Sequence, residues 1–443
     1  MAIKTLKLSI LGFLLTASGS GNTENLLTMY QQAKATNPQL AAAAANRQAI
    51  VELKTQSRSG LLPNVILNGA IDRRQSNDLT VNDKPTYSTD KSAAIRLQQP
   101  LFRYDRWIEL KQADSRIAEA EAAYSAAEQD LMVATAERYF NILSAQENLA
   151  FANAEKDAIA RELDQAKQRF EVGLIAITDV HEAQARHDLA VSQEIQAASQ
   201  VETARDTLRE TVGQYYDHLD EVIEDLPLAI PEPADPDAWV KQAIEQNLEV
   251  LAAQAAAETA RQEMRRQRAG HLPTLDLNVS SDYRKQTNNF GSTSFNTERN
   301  DNSIGLGFDM PIYQGGLVNA RTREARHRLS QASEQLHQAT RKAELDTRTA
   351  YRGIQTDIAQ IKALAQSLVS TQTAVEAAEA GFEVGTRTVV DVLNAQRESF
   401  KAKFNYAQAR YQYLVDQLRL KRATGSLAQT DLEKINNYLQ PDQ

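Results

Sequence analysis

The most regular signal along the chain is a seven-residue period. Leu110, Ile117, Tyr124 and Leu131 recur at that spacing, and Ala113, Ala120, Ala127 and Ala134 follow three residues behind them. A second run repeats the pattern with Ile354, Ile361, Leu368, Val375 and Phe382, with Ile358 and Ala365 between. Heptads that mix large and small seam residues predict long helices packed side by side as antiparallel coiled coils. The first run, 103–172, would be about 105 Å long as straight helix, well beyond the width of a globular domain. The period drops to two in four places. Leu275, Leu277 and Val279 alternate with Asp276, Asn278 and Ser280, and Ile304, Leu306, Phe308 and Met310 alternate with Ser303, Gly305, Gly307 and Asp309. Val65, Leu67 and Ile71 oppose Asn64, Asn68 and Asp72, and Ala93, Ile95 and Leu97 oppose Ala94, Arg96 and Gln98.

Such alternation predicts strands with one apolar and one polar face. It suits a wall between lipid and an aqueous lumen, and it also suits a half-buried soluble sheet. Asp276, Asp309 and Arg96 would be poor core residues, which favours the wall. Four strands cannot close round a lumen, and lipid does not tolerate open strand edges, so several chains must pool their strands. Three copies would give about twelve strands and a backbone diameter on the order of 24 Å, at ~4.8 Å spacing and ~40° tilt. The polar stretches 73–91 and 284–301 read as loops facing the exterior.

The plan is written twice. Gly60-Leu61-Leu62-Pro63 matches Gly270-His271-Leu272-Pro273, Pro100-Leu101-Phe102 matches Pro311-Ile312-Tyr313, and Phe170-Glu171-Val172-Gly173 matches Phe382-Glu383-Val384-Gly385. Asp179-Val180 likewise matches Asp391-Val392, in the same order and at a nearly constant offset. Register kept across strand, helix and turn indicates an internal duplication. Each half reads as a helix (24–59, 236–269) stopped by Leu-Pro, two strands, a very long helix, a glycine turn and a shorter helix. The expected units are 23–225 and 237–430, joined by a proline-bearing linker 226–236 and followed by a tail 431–443. Residues 1–22 read as an export signal, with Lys4 and Lys7 before a short apolar run and then small residues.

Composition narrows the chemistry. Gly 17 and Pro 11 in 443 residues leave few turns, and aromatic residues at 6% leave few bulky core groups, so helices should pack through alanine. A net charge of −9 disfavours nucleic acid, which needs a basic face. Cys 0 excludes disulfides, thiolate metal sites and cysteine nucleophiles. None of the six histidines stands in a helical metal-ligand pair, and no phosphate loop or nucleophile elbow is present. No enzyme activity, cofactor or metal is therefore expected. At the long-helix ends, Gly173 and Gly385 suit left-handed turns. Thr388 to Asp391 reads as a capping box, and Thr178 or Asp179 could cap in the first half.

Three segments carry a resemblance: Gly270-His271-Leu272-Pro273-Thr274-Leu275-Asp276-Leu277, Pro311-Ile312-Tyr313-Gln314-Gly315-Gly316, and Val384-Gly385-Thr386-Arg387-Thr388-Val389-Val390-Asp391-Val392-Leu393. With the duplicated plan they closely resemble the TolC family of outer-membrane efflux and secretion channels, over about 24–431. The resemblance implies a mainly α protein with a small β part. It would be a homotrimer whose strands share a 12-stranded barrel in outer-membrane lipid and whose helices form an α-barrel across the periplasm. It implies a belt built from 214–239 and the chain after 425. It also implies a periplasmic adaptor (membrane fusion) protein and an inner-membrane transporter as partners, in tripartite efflux pumps or type I secretion systems. Thr178, Asp179, Arg387 and Asp391 match family positions that hold the periplasmic entrance shut, with Asp391 on an axial ring that is a candidate cation site. Two positions depart. Phe382 stands where the family has a tyrosine bonded to the residue at Asp179, and Asn394 stands where a second aspartate ring is expected. The competing reading is a soluble periplasmic coiled-coil adaptor or scaffold.

Overall fold

The structure, a computed structural model, describes residues 25–76, 86–216, 218–290 and 293–440. The export signal expected at 1–22 lies outside the described residues. Helices α1 (Leu26–Thr36) and α2 (Pro38–Ser59) lead to strands β1 (Asn64–Ser76) and β2 (Thr86–Phe102), then to the long α3 (Tyr104–Glu171) and the shorter α4 (Ile177–Val212). After β3 (Glu221–Val222) the order begins again with α5 (Pro236–Gln246), α6 (Leu248–Arg268), β4 (Thr274–Phe290), β5 (Thr293–Asp309), α7 (Leu317–Glu383) and α8 (Val389–Ala423). Last come α9 (Gln429–Asn436) and β6 (Leu439–Gln440).

The long helices have the expected extent. α3 has 68 residues and α7 has 67, each about 100 Å at 1.5 Å per residue. α3 packs on α4 over one stretch and on α2 and α6 over the rest, while α7 packs on α8, α6 and α5. Alanine makes the close approaches. Ala113 and Ala120 on α3 are buried, and so are Ala183, Ala190 and Ala197 on α4, a seven-residue small-side-chain seam absent from the heptads noted above. Large core residues gather at one level, where α1, α3, α7, α8 and α9 meet. Tyr30, Tyr139, Tyr413, Ile354, Leu414 and Leu432 are fully enclosed there, and Phe140 stacks on Tyr411 with centroids 5.7 Å apart.

The belt is part of that level. β3 pairs with β6 (Val222 with Leu439), so the chain after 425 folds back onto the segment after α4. In this part of the chain α9 starts at Gln429 and β6 follows it, while 441–443 lie outside the described residues. The linker is pinned by aromatic side chains. The Tyr413 hydroxyl accepts the Ala229 N–H at 2.9 Å, and Trp239 Nε1 donates to the Pro233 carbonyl at 2.8 Å.

Two expectations are corrected. The single helices 24–59 and 236–269 are each broken in two, at Asn37 and Asn247. Asn37 Oδ1 accepts the N–H groups of Gln39 and Leu40, both at 3.0 Å, so it caps α2, while its Nδ2 donates to the Thr211 carbonyl in the last turn of α4 at 3.2 Å. Asn247 caps α6 through Val250 N–H at 3.0 Å and donates to the Ala423 carbonyl at the end of α8 at 2.9 Å. Each break is therefore a joint between stacked helices, fixed by one amide. The second correction concerns the polar loops 73–91 and 284–301, most of which are strand. Thr, Ser and Asn carry the hairpins outward through cross-strand contacts, as where Thr287 Oγ1 donates to Asn296 Oδ1 at 2.8 Å. What joins β1 to β2 and β4 to β5 lies outside the described residues.

The strands form one antiparallel sheet in the order β1-β2-β4-β5. Its register sets Val65, Leu97, Val279 and Ile304 in one row across all four strands. Leu277, Leu306, Leu275 and Phe308 continue that face, and Ile304 is 76% exposed in a single chain. The other face carries charge, with Arg96 to Asp282 at 3.3 Å and Arg299 to Asp301 at 2.6 Å. A β-bulge at Pro100/Phe102 ends the β2 ladder where Arg103 makes a two-armed bond to Asp276, at 3.3 and 3.0 Å. Proline lacks a ladder donor, so the sheet ends there and α3 begins.

Candidate functional site

The end of the molecule farthest from the sheet holds all the residues expected at the entrance. Gly173 and Gly385, both with φ of 75°, turn α3 into α4 and α7 into α8. Nothing lies within 4 Å of where a Cβ would stand at either position, so backbone conformation alone selects glycine. Asp179 and Asp391 occupy equivalent positions in the third residue of their helices. Thr388 supplies the expected capping box. Its hydroxyl accepts the Asp391 N–H at 3.2 Å, and Asp391 Oδ2 accepts the Thr388 N–H at 2.9 Å and hydroxyl at 2.8 Å. The Thr388 donors, with Arg387 adding, hold the Asp391 carboxyl below its ordinary range.

The first half differs. The cap position is Ala176, which has no side-chain oxygen, so only the return bond is made, from Ala176 N–H to Asp179 Oδ2 at 3.3 Å. Thr178 is exposed and caps nothing. Of the two capping candidates in this half, Asp179 contributes, from inside the first turn.

Arg387 is placed by a glycine that gives no signal in the sequence pattern. The Gly381 carbonyl accepts the N–H groups of Thr386 at 2.8 Å and Arg387 at 3.1 Å, and the Thr386 hydroxyl at 3.0 Å. A Cβ at Gly381 would stand 2.7 Å from Arg387 Cγ, so the arginine stem crosses the helix where only hydrogen projects. The matching residue in the first half is Arg169, whose guanidinium lies 5.5 Å from the Phe382 ring centroid. The hydroxyl-free ring therefore has a cationic partner from the other half of the same chain. What could have revealed it is an unequal pair, arginine and glycine, at one repeat position. Asn394 lines a groove between α3, α4 and α8 with Glu155, Glu162, Arg186 and Arg397. Burial raises the Glu162 carboxyl there, against the opposing effect of Arg186. Among the described residues, no hydrogen bond or ion pair joins Thr178 or Asp179 to Arg387 or Asp391.

No described helix is long and apolar enough to cross a membrane. The apolar face of the sheet is the surface available to lipid.

The sequence model of the family described as outer membrane efflux protein matches residues 29–214 and again 239–426, one match in each half. Outer membrane protein TolC of Escherichia coli (strain K12) is 38% identical over 440 residues, covering 98% of this chain and 87% of that protein. Alkaline protease secretion protein AprF of Pseudomonas aeruginosa is 28% identical over 433 residues, covering 96% of this chain and 89% of that protein. The crystal structure of the Campylobacter jejuni CmeC outer membrane channel superposes with a TM-score of 0.77 at 17% identity, covering 98% of this chain and 97% of that one. These likenesses extend through strands as well as helices, which decides against the soluble adaptor or scaffold. With both halves matched, the chain belongs to the outer membrane efflux protein family.

Proposed function

We propose that three copies of this chain form one duct, a shared 12-stranded β-barrel in the outer membrane continued by a helical tunnel in the periplasm. The duct passes drugs, detergents or proteins outward from an inner-membrane transporter joined to it by a periplasmic adaptor, and performs no chemistry itself. The likeness to TolC and to a protease secretion protein supports both efflux and type I secretion as its setting.

The observation that carries this reading is the sheet. It has one apolar face, one charged face, and two edges, β1 and β5, that no other described strand of the chain pairs. In lipid each unpaired backbone group costs several kcal/mol, so β5 of one copy must meet β1 of the next. On the helices, Leu189, Ile195, Leu345 and Val369 also stand exposed, far from the sheet.

At the entrance, Asp391 from three copies forms the candidate cation ring. Like charges brought together on one axis repel, which favours a bound cation between them. With Asn394 in place of a second carboxylate, one charged constriction remains. The Arg169–Phe382 contact takes the place of the missing tyrosine bond and closes each chain's tip on itself. Native mass measurement of the detergent-solubilised protein should give three chains, and planar bilayers should show discrete conductance steps. A single-chain species that does not conduct overturns the proposal.

A further inference from the structure

The outward face of the sheet changes character along its height. Its rows run from Leu275–Phe308, through Leu277–Leu306 and Val65–Leu97–Val279–Ile304, to Leu67–Ile95–Ser281–Asn302 and Ala93–Tyr283–Asn300. The next row is Ile71–Lys91–Lys285–Glu298. Ten residues separate Leu275 from Lys285 along β4, which is about 26 Å of height at ~3.4 Å per residue and ~40° tilt. An outer-membrane barrel presents an apolar band about 25 Å tall bounded by aromatic side chains. Tyr283 stands at that boundary with Lys91 and Lys285 immediately beyond it.

The basic residues are arranged at a cost. Lys91 and Lys285 are directly opposite each other across the β2–β4 ladder, and like charges so placed destabilise a sheet. Glu298 pairs with Lys285, but Lys91 is exposed and has no ion-pair partner among the described residues. Arg73 shares the same face, two residues past the Lys91 partner Ile71, with its guanidinium 5.8 Å from the Tyr87 ring centroid. Diagonal neighbours at ~7–8 Å remain within reach of long side chains. Three cations and one carboxylate thus lie on the lipid side, at the depth of the exterior headgroups.

We propose that Arg73, Lys91 and Lys285 form a site for the phosphate groups of a phosphorylated glycolipid in the exterior leaflet. A phosphate between Lys91 and Lys285 relieves their repulsion, and its acyl chains lie against the Leu67–Ile95 row below. Arg73 closes the site from the neighbouring strand. The face makes a lipid the fitting source, because a free anion would leave that apolar row uncovered. This inference rests on the outer-membrane barrel of the proposed function.

The test uses the full-length protein in maltoside micelles containing bisphosphorylated lipid A, dephosphorylated lipid A, or inorganic phosphate. The phosphorylated lipid should bind and the other two should not. A Lys91→Gln/Lys285→Gln variant should bind about tenfold more weakly for each charge-assisted hydrogen bond it can no longer make, and Lys91→Arg/Lys285→Arg should restore binding. None of these residues faces the lumen, so conductance should be unchanged in both variants. Equal binding of the two lipids, no effect of the glutamine variant, or equally tight binding of inorganic phosphate overturns the site. Failure of the unmodified protein to conduct removes the barrel itself, a result distinct from a conducting channel that ignores lipid phosphate.

Discussion

Gly381 matters because of the residue it makes room for. Alanine there would favour the helix by up to about 1 kcal/mol, and an unchanged melting temperature would separate loss of closure from unfolding. Its Cβ would nonetheless collide with the Arg387 stem at 2.7 Å. Gly381→Ala and Arg387→Ala should therefore raise single-channel conductance to similar levels, and the double substitution should add little. Parental conductance in either single variant would separate Arg387 from the entrance. A second residue acts through its charge. Asp357 on α7 is buried beside Asp416 on α8, with Oδ2 lacking a partner. Asp416 is itself held by Gln412 and Arg419, both at 2.9 Å, and Arg419 also binds Glu137 on α3. Burial first, then Asp416, pushes the Asp357 carboxyl up to about 7. The folded chain therefore holds a proton that the unfolded chain releases at lower pH. Stability falls as pH rises from about 4 to about 7, by up to ~1.4 kcal/mol per unit, and levels off above. Asp357→Asn should flatten that slope and raise the melting temperature at pH 8 more than at pH 5; an unchanged pH profile would show that the pair shares no proton.

At the scale of elements, the repeated device is the asparagine joint. Replacing Asn247 by alanine removes a cap and leaves the Ala423 carbonyl without its donor, a loss of about 2 kcal/mol, and Asn37→Ala should cost the same through Thr211. Denaturant titration of each variant measures both losses, and a variant as stable as the parent would mean that water replaces the amide. These joints show where sequence reading succeeds and where it stops. The heptads at Leu110 and Ile354 and the alternation at Leu275 and Ile304 are legible because one residue type recurs on one face. The breaks are not, because Asn37-Pro38 and Asn247-Leu248 share only an asparagine whose second partner lies 174 and 176 residues away. The polar hairpins read as loops because a strand in water on both faces has no hydrophobic rhythm. Gly381 escapes notice because one glycine in a helix gives no period at all.

At the scale of the whole molecule, the two faces of the sheet give the sharpest contrast. Leu306 and Gly305 are adjacent but lie on opposite faces of the sheet, which in the proposed barrel meet lipid and lumen respectively. Leu306→Arg should lose about 2–4 kcal/mol in vesicle-based urea unfolding if it lies near the bilayer midplane. Gly305→Arg should be almost neutral, since open space surrounds the position. Equal tolerance at both would mean a soluble sheet. The duplication has one more effect. In the proposed trimer, three chains of two halves with the same plan would place six similar staves round the axis, but arginine at 169 answers glycine at 381, and alanine at 176 answers threonine at 388. That arrangement would keep hexagonal geometry for the wall while confining the proposed latch to alternate corners. Such a mouth would dilate by swinging three staves outward while the other three keep the tube upright.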